Sequence, residues 1–348
     1  MDPASSASPP PPPPLLEHLF STDQRYHGKG PVLFAWHPRG TYVASSGNSR
    51  VVHVFGRRGE VVDQIVPAAP TEVTALEWDA AGEVLAIMQA NSPIVVVWNL
   101  ETNRKTNVDT NHGVGAGAGG STKDLTFLRW SRQGGHLAIG TGKGALILYD
   151  RETGEKVVAS GRGHKRRIMC GDWSDAGTLA YASEDRQITI CRADGTPIDE
   201  LKVKSRPFGV KFGGTEDDAA DGGGGILSVN MEGKTILLYN PRERNSALEL
   251  AFQPRYGTIV SYEWFGDGSI MVGFASGYVE KRRLCVLYCV LYCVLYCVVY
   301  MWCGVYYACC GRVLIQVFPL LLPQVRQAPP VYMYPYRRGG MRLHSLRL

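Results

Sequence analysis

Apolar residues along this chain come in runs of a few positions, and from Pro31 onward the runs repeat in one order. Each unit opens with an apolar run closed by an aromatic: VLFAW, TALEW, LTFLRW, IMCGDW, FGVKF and IVSYEW. The closing aromatics are Trp36, Trp78, Trp130, Trp173, Phe212 and Trp264. A turn follows, usually holding a glycine (Gly40, Gly82, Gly134, Gly177, Gly268), and then a second small or apolar run such as Thr178 to Ala182. After another turn comes an alternating stretch such as Gln187 to Arg192, which in three units ends on a hydrophobic–polar pair: Trp98-Asn99, Tyr149-Asp150 and Tyr239-Asn240. A fourth segment, for example Lys156 to Ala159, leads into the next unit. Runs this short, bounded by turn residues, predict β-strands rather than helices.

The spacing of the aromatics sets the architecture. Successive intervals are 42, 52, 43, 39 and 52 residues, and both long ones contain a low-complexity insert, at 112–120 (HGVGAGAGG) and 213–225 (with EDDAADGGGG). Without the inserts every interval is near 40 residues, the period of a four-stranded propeller blade. The chain is therefore expected to be all-β, a propeller with about six recognisable blades, five complete and a sixth that breaks off, so that the ring is incomplete. One blade cannot cover its own faces, so stacked neighbours must supply the core.

Three domains follow from these boundaries. Residues 1–14, MDPASSASPPPPPP, form a disordered or polyproline-II arm. Residues 15–280 hold the propeller, with Leu15 to Phe20 as one helical turn or an outlying strand. Residues 281–348 form an aberrant or low-complexity hydrophobic tail, starting where the third strand of the sixth unit is due. In it Cys-Val-Leu-Tyr repeats from Cys285 to Tyr296. Residues 284–311 carry no charge and are long enough to span a bilayer, behind Lys281-Arg282-Arg283 on a cytoplasmic side. A tandem tetrapeptide that displaces a strand halfway through a unit reads better as translated non-coding sequence or a shifted frame. The i, i+4 cysteines Cys285, Cys289, Cys293 and Cys297 lack the paired short-loop spacing of a zinc site.

Charge and cysteine content sharpen this division. The net charge is +5, but residues 281–348 hold nine Lys or Arg and no acid, leaving the first 280 residues at −4. Mild acidity gives no nucleic-acid footprint. Seven of nine cysteines lie between Cys285 and Cys310, and the isolated Cys170 and Cys191 suit a reducing compartment. Gly115 to Gly120 fits G-x-G-x-x-G but opens no helix, and Gly140 to Gly144 lacks the first glycine and the Ser/Thr of a phosphate loop. The cluster Arg162, His164, Lys165, Arg166, Arg167 reads as a solvated loop or a protein contact. His164 and Asp185 are placed to exchange hydrogen bonds that lock a loop to its strands. No catalytic, cofactor-binding or metal-ligating constellation is found, and no cofactor is expected; the named aromatics with His164 and Asp185 are structural blade residues.

Gly163-His164 and the three strand-ending pairs resemble the GH and WD dipeptides of WD40 repeats. The segments PVLFAWHPRGTYVA, LEWDAAGEVLAIM, LRWSRQGGHLAIGTGKGALILYD, GHKRRIMCGDWSD and GTIVSYEWFGDGSIMVGFASG go further. From about Leu15 to Val279 they are similar, in turns as well as strands, to the N-terminal propellers of the WD-repeat core subunits of intraflagellar transport complex A. That resemblance implies a WD40-type β-propeller and a non-enzymatic scaffold for retrograde transport and cilium assembly. It implies a place at the cilium or flagellum and basal body, on the cytoplasmic side. The implied partners are the other subunits of the complex and ciliary membrane-protein cargo, with no nucleic acid, and a membrane only if 284–311 spans one. In that family a second propeller and a helical-repeat solenoid follow; neither is legible here. The alternatives are a generic WD40 adaptor and a propeller anchored by residues 284–311.

Overall fold

The computed structural model describes residues 16–17, 19–111, 124–159, 163–213, 225–242, 247–265, 268–283 and 345–346. The proline-rich arm, the first insert with its G-x-G-x-x-G, Arg162, nearly all of the second insert and the segment 284–311 lie outside the described residues.

The expected repeat is built as six antiparallel sheets, each taking its strands in chain order. Sheet one is Leu33–Trp36, Tyr42–Ser46, Val52–Gly56 and Val61–Ile65; sheet two is Val73–Trp78, Val84–Gln89, Ile94–Asn99 and Lys105–Asp109. Sheet three is Leu125–Trp130, His136–Thr141, Leu146–Asp150 and Lys156–Val158; sheet four is Ile168–Trp173, Thr178–Ser183, Gln187–Arg192 and Pro197–Lys202. Sheet five is Pro207–Gly213, Ile226–Met231, Thr235–Tyr239 and Leu248–Ala251, and sheet six is Ile259–Trp264, Ser269–Phe274 and Val279–Arg283. These residues fall into two compact units: sheets one and two belong to the first, and the second begins at Arg129 in the first strand of sheet three.

Sheet six corrects one boundary. Its third strand, expected to be lost after Glu280, continues to Arg283 and pairs Gly273 with Val279 through Ser269 with Arg283. Ladder hydrogen bonds come from the backbone, so a strand can run on through Lys281-Arg282-Arg283 although the repeat in the sequence has stopped.

Second and third strands are covered on both faces. Every residue of Val84–Gln89 is buried, as is every residue of Val52–Gly56, which explains why all but Gln89 and His53 are apolar or glycine. Within the first unit, Ala44, Val52, Val54 and Ile65 of sheet one pack with Leu76, Leu85, Ile87 and Val96 of sheet two. Within the second, Ala180, Ala182, Ile188 and Ile190 meet Val210, Leu227 and Val229, and Ile236 and Leu238 meet Ile270 and Val272. Each fully buried Leu, Ile or Val contributes roughly 1.5–3 kcal/mol. Fourth strands such as Pro197–Lys202 and Lys105–Asp109 are largely exposed and polar, which discourages pairing between molecules.

A segment that the periodicity does not mark covers part of sheet one. Leu16–Glu17 is a strand, one of the two forms expected there, and it pairs with Ser345–Leu346. The helical turn lies further on, at Gln24–His27, where Asp23 Oδ1 caps the Arg25 amide at 2.9 Å. Phe20 lies tilted against Phe55 at 6.0 Å, Tyr26 stands edge-on to both Phe55 and His53 at 5.4 Å, and His27 Nε2 is 2.9 Å from Ser45 Oγ. On the same strand as Leu33 and Ala35, which face sheet two, Phe34 and Trp36 point the other way and remain 43% and 39% exposed.

Candidate functional site

Three of the strand-ending aromatics tie their sheet to the one before it. Trp78 Nε1 donates to Ala35 O at 3.3 Å, and Trp173 Nε1 donates to Arg129 O at 3.2 Å. Both acceptors sit one residue before the preceding sheet's aromatic. Trp264 reaches the equivalent carbonyl through an intermediary: its Nε1 donates to Ser228 Oγ at 2.8 Å, and that hydroxyl donates to Lys211 O at 2.8 Å. Phe212 has no donor and is simply buried. Trp130 is buried too, and its Nε1 has no partner among the described residues. Trp36, half exposed on the far face of sheet one, differs from the others because no described sheet precedes it.

Sheet one is pinned to sheet two at the same level by His37. The Arg39 amide donates to Nδ1 at 3.2 Å, so Nε2 carries the proton and donates to Gly82 O at 3.0 Å. Gly82 has φ of 76°, and a Cβ there would collide with the His37 ring; both facts require glycine.

His164 and Asp185 meet as expected. His164 Nδ1 lies 3.2 Å from both carboxylate oxygens and its Nε2 is 3.1 Å from Thr189 Oγ1. A proton on Nδ1 therefore lets Thr189 donate to Nε2, and the inter-sheet loop is fastened to the third strand. Asp185 also accepts from the amides of Lys165 and Gln187, each at 3.0 Å. Burial alone would raise the Asp185 carboxyl; the Lys165 amide, the His164 ring and the Gln187 amide outweigh it and hold the group below its ordinary value. Cys191 and Arg192 end this third strand where other sheets have Trp98-Asn99, Tyr149-Asp150 and Tyr239-Asn240.

A second hub escaped the sequence reading. Asp172, almost fully buried, receives Arg129 Nε at 3.1 Å, Arg132 Nη2 at 2.8 Å and the Phe212 amide at 2.9 Å. Arg132 Nη2 also donates to Phe212 O at 2.8 Å, and its Nη1 reaches Asp175 at 3.1 Å. Lys211 pairs with Glu263 in the same way across the next boundary. The signal was available, because residues just before the aromatics alternate in sign: Arg129, Asp172, Lys211, Glu263.

Burial pushes the Cys170 and Cys191 thiols up to about 12 and raises the Tyr181 and Tyr262 hydroxyls, so these groups stay neutral and unreactive. Among the described residues, no three His, Cys, Asp or Glu side chains are grouped to hold a metal ion, and no helix is long and apolar enough to cross a membrane. Gly142-Lys143-Gly144 is a turn between strands, with Thr141 Oγ1 capping the Ala145 amide at 3.0 Å.

The family model described as "WDR19 first beta-propeller" matches residues 32–281, almost the whole span of the six sheets. The chain belongs to that family. Its WD40-type propeller accounts for the six-sheet repeat and for the aromatic ties between sheets. WD repeat-containing protein 19 of Homo sapiens is 33% identical over 265 residues, covering 76% of this chain and 19% of the relative. The Mus musculus protein of the same name is 32% identical over 264 residues (75% and 19%), and WD repeat-containing protein dyf-2 of Caenorhabditis elegans is 29% identical over 255 residues (73% and 18%). The chain thus spans about a fifth of the length of the curated relatives it matches.

Proposed function

We propose that this chain is a non-enzymatic scaffold for protein–protein contacts in intraflagellar transport complex A, supporting retrograde ciliary transport and cilium assembly. The observation that carries the reading is the family match over residues 32–281, on a fold whose buried polar side chains join one sheet to the next. His164, Asp185 and the strand-ending aromatics act as framework, leaving turns and fourth strands free to meet other proteins. Other subunits of the complex and ciliary membrane-protein cargo are the partners, at the cilium and basal body on the cytoplasmic side. Residues 15–280, with the strand that 281–283 complete, serve as the interacting domain, and the residues after 283 are not needed for it.

Size-exclusion chromatography of the purified chain mixed with recombinant subunits of the complex tests this. Co-migration with at least one subunit is expected; elution of the chain apart from all of them, in folded form, would remove the proposal.

A further inference from the structure

In the second unit, the turns between second and third strands share one end with the connections into the next sheet. Gly144 packs against the carbonyls of His164 and Arg166. The Glu232 amide donates to Arg206 O at 2.9 Å, and the Ile259 amide donates to Gly233 O at 2.7 Å. Cys170 Sγ lies 4.0 Å from Pro207 O. Sheets three to six therefore present their connecting segments as one continuous surface.

That surface is cationic. Its connections expose Lys165, Arg166, Arg167, Lys204, Arg206 and Arg255. Its turns add exposed Lys143, Arg186 and Lys234. The three described acids in these segments are already engaged. Glu184 pairs with Arg206 at 3.3 Å, Asp185 is held by His164, and Glu232 Oε1 accepts from the Arg206 amide at 3.3 Å. At the opposite end the signs are mixed, with Glu152, Glu155 and Asp175 beside Arg132, Arg151 and Arg192.

The same surface carries apolar side chains placed by a repeated irregularity. The register slips between Ile168 and Cys170, between Pro207 and Gly209, and between Ile259 and Ser261. A bulge frees the residue it contains from the ladder and re-aims its side chain. The bulged residues are Met169, Phe208 and Val260, and the last two are 52% and 67% exposed. Gly209 lies against the Tyr262 ring, which brings the bulged ends of sheets five and six side by side.

We infer that this end of the second unit docks an acidic protein segment that carries apolar side chains among its carboxylates. The cations supply attraction and steering, and Phe208 and Val260 supply the two apolar contacts that bare charge cannot use. A membrane surface would need a wider apolar wedge than two separated side chains. The inference rests on the scaffold reading and names the chemistry of one of its partners.

The test is fluorescence anisotropy of the full chain with a labelled peptide of repeated Glu-Glu-Phe units. Binding should be about tenfold tighter than to Gln-Gln-Phe or Glu-only peptides of the same length and should weaken as salt is raised. Arg167→Glu with Lys234→Glu should abolish it, and Phe208→Ser should weaken it about tenfold, with circular dichroism unchanged. A peptide bearing benzoylphenylalanine in place of Phe should cross-link to the segment 206–210 or 258–262, a readout that needs no variant. Equal binding of the Glu-only peptide, cross-links elsewhere, or flotation with phosphatidylserine–phosphatidylcholine vesicles in place of peptide binding would each overturn the inference. So would self-association of the chain that the charge reversal dissolves. If only this inference fails, co-migration with complex subunits survives the charge reversal; if the scaffold reading fails, it is absent from the start.

Discussion

Asp172 fastens sheet four to sheet five: its Oδ2 accepts the Phe212 amide hydrogen at 2.9 Å while the same carboxylate holds Arg129 and Arg132 of sheet three. Removing it orphans a buried amide and takes one acceptor from each of two guanidinium groups. The arginines are about one-third exposed and can rehydrate, so the cost lies near the low end for a broken buried pair. Asp172→Ala should lose about 3 kcal/mol in urea unfolding. A loss below about 0.5 kcal/mol, the level of an ordinary surface change, would show that the hub contributes little.

His164 and Asp185 should behave as a coupled pair. A double-mutant cycle of His164→Ala and Asp185→Ala should return a coupling of about 0.5–3 kcal/mol, with additivity as the contrary result. The pH dependence follows from the depressed carboxyl. Its contribution is complete above the ordinary 3.8 and is lost as pH falls through the lower folded-state value. Wild-type stability should therefore drop more steeply than that of Asp185→Asn below that pH.

The six strand-ending aromatics are not equivalent. Trp173 is fully buried and donates to Arg129 O, whereas Trp36 is 39% exposed. Trp173→Phe removes the indole donor from a fully buried position and should cost about 1–3 kcal/mol. Trp36→Phe should stay within about 0.5 kcal/mol. Thermal melts of the two variants side by side decide this; equal losses would contradict the account.

His27 and His53 give the first unit a sensitivity to acid. Burial lowers both pKa values from 6.5, and for His27 the neighbouring His53 adds to the effect. The unfolded chain therefore binds protons first. Stability is full above about 6.5 and falls as pH drops through the folded-state values. His53→Phe should flatten the melting temperature profile between neutral and mildly acidic pH, and an unchanged slope would place the acid response elsewhere.

Much of this fold was legible because strand, turn and aromatic recur with a period that only stacked four-stranded sheets satisfy. The His164–Asp185 contact was legible as well, since a loop histidine and a turn aspartate have few other ways to be satisfied when buried. What escaped shares one physical cause: it depends on contacts between units of the repeat or on backbone geometry. Asp172 looks like any polar residue near a strand end until sheet five supplies the Phe212 amide. The bulges at Phe208 and Val260 leave no mark in hydrophobic alternation, and Tyr26 covers His53 from a segment with no repeat. The third strand of sheet six persists past Glu280 because a ladder needs backbone partners rather than apolar side chains.

What we propose above is that intact, joined sheets let this chain bind subunits of the transport complex. Proximity labelling in ciliated cells, with the chain and its Asp172→Ala variant fused to the same ligase at matched expression, tests it most directly. The account predicts ciliary signal and enrichment of complex subunits for the wild-type chain, reduced for the variant. Labelling spread evenly through the cell, with no subunit of the complex enriched by either protein, would contradict it.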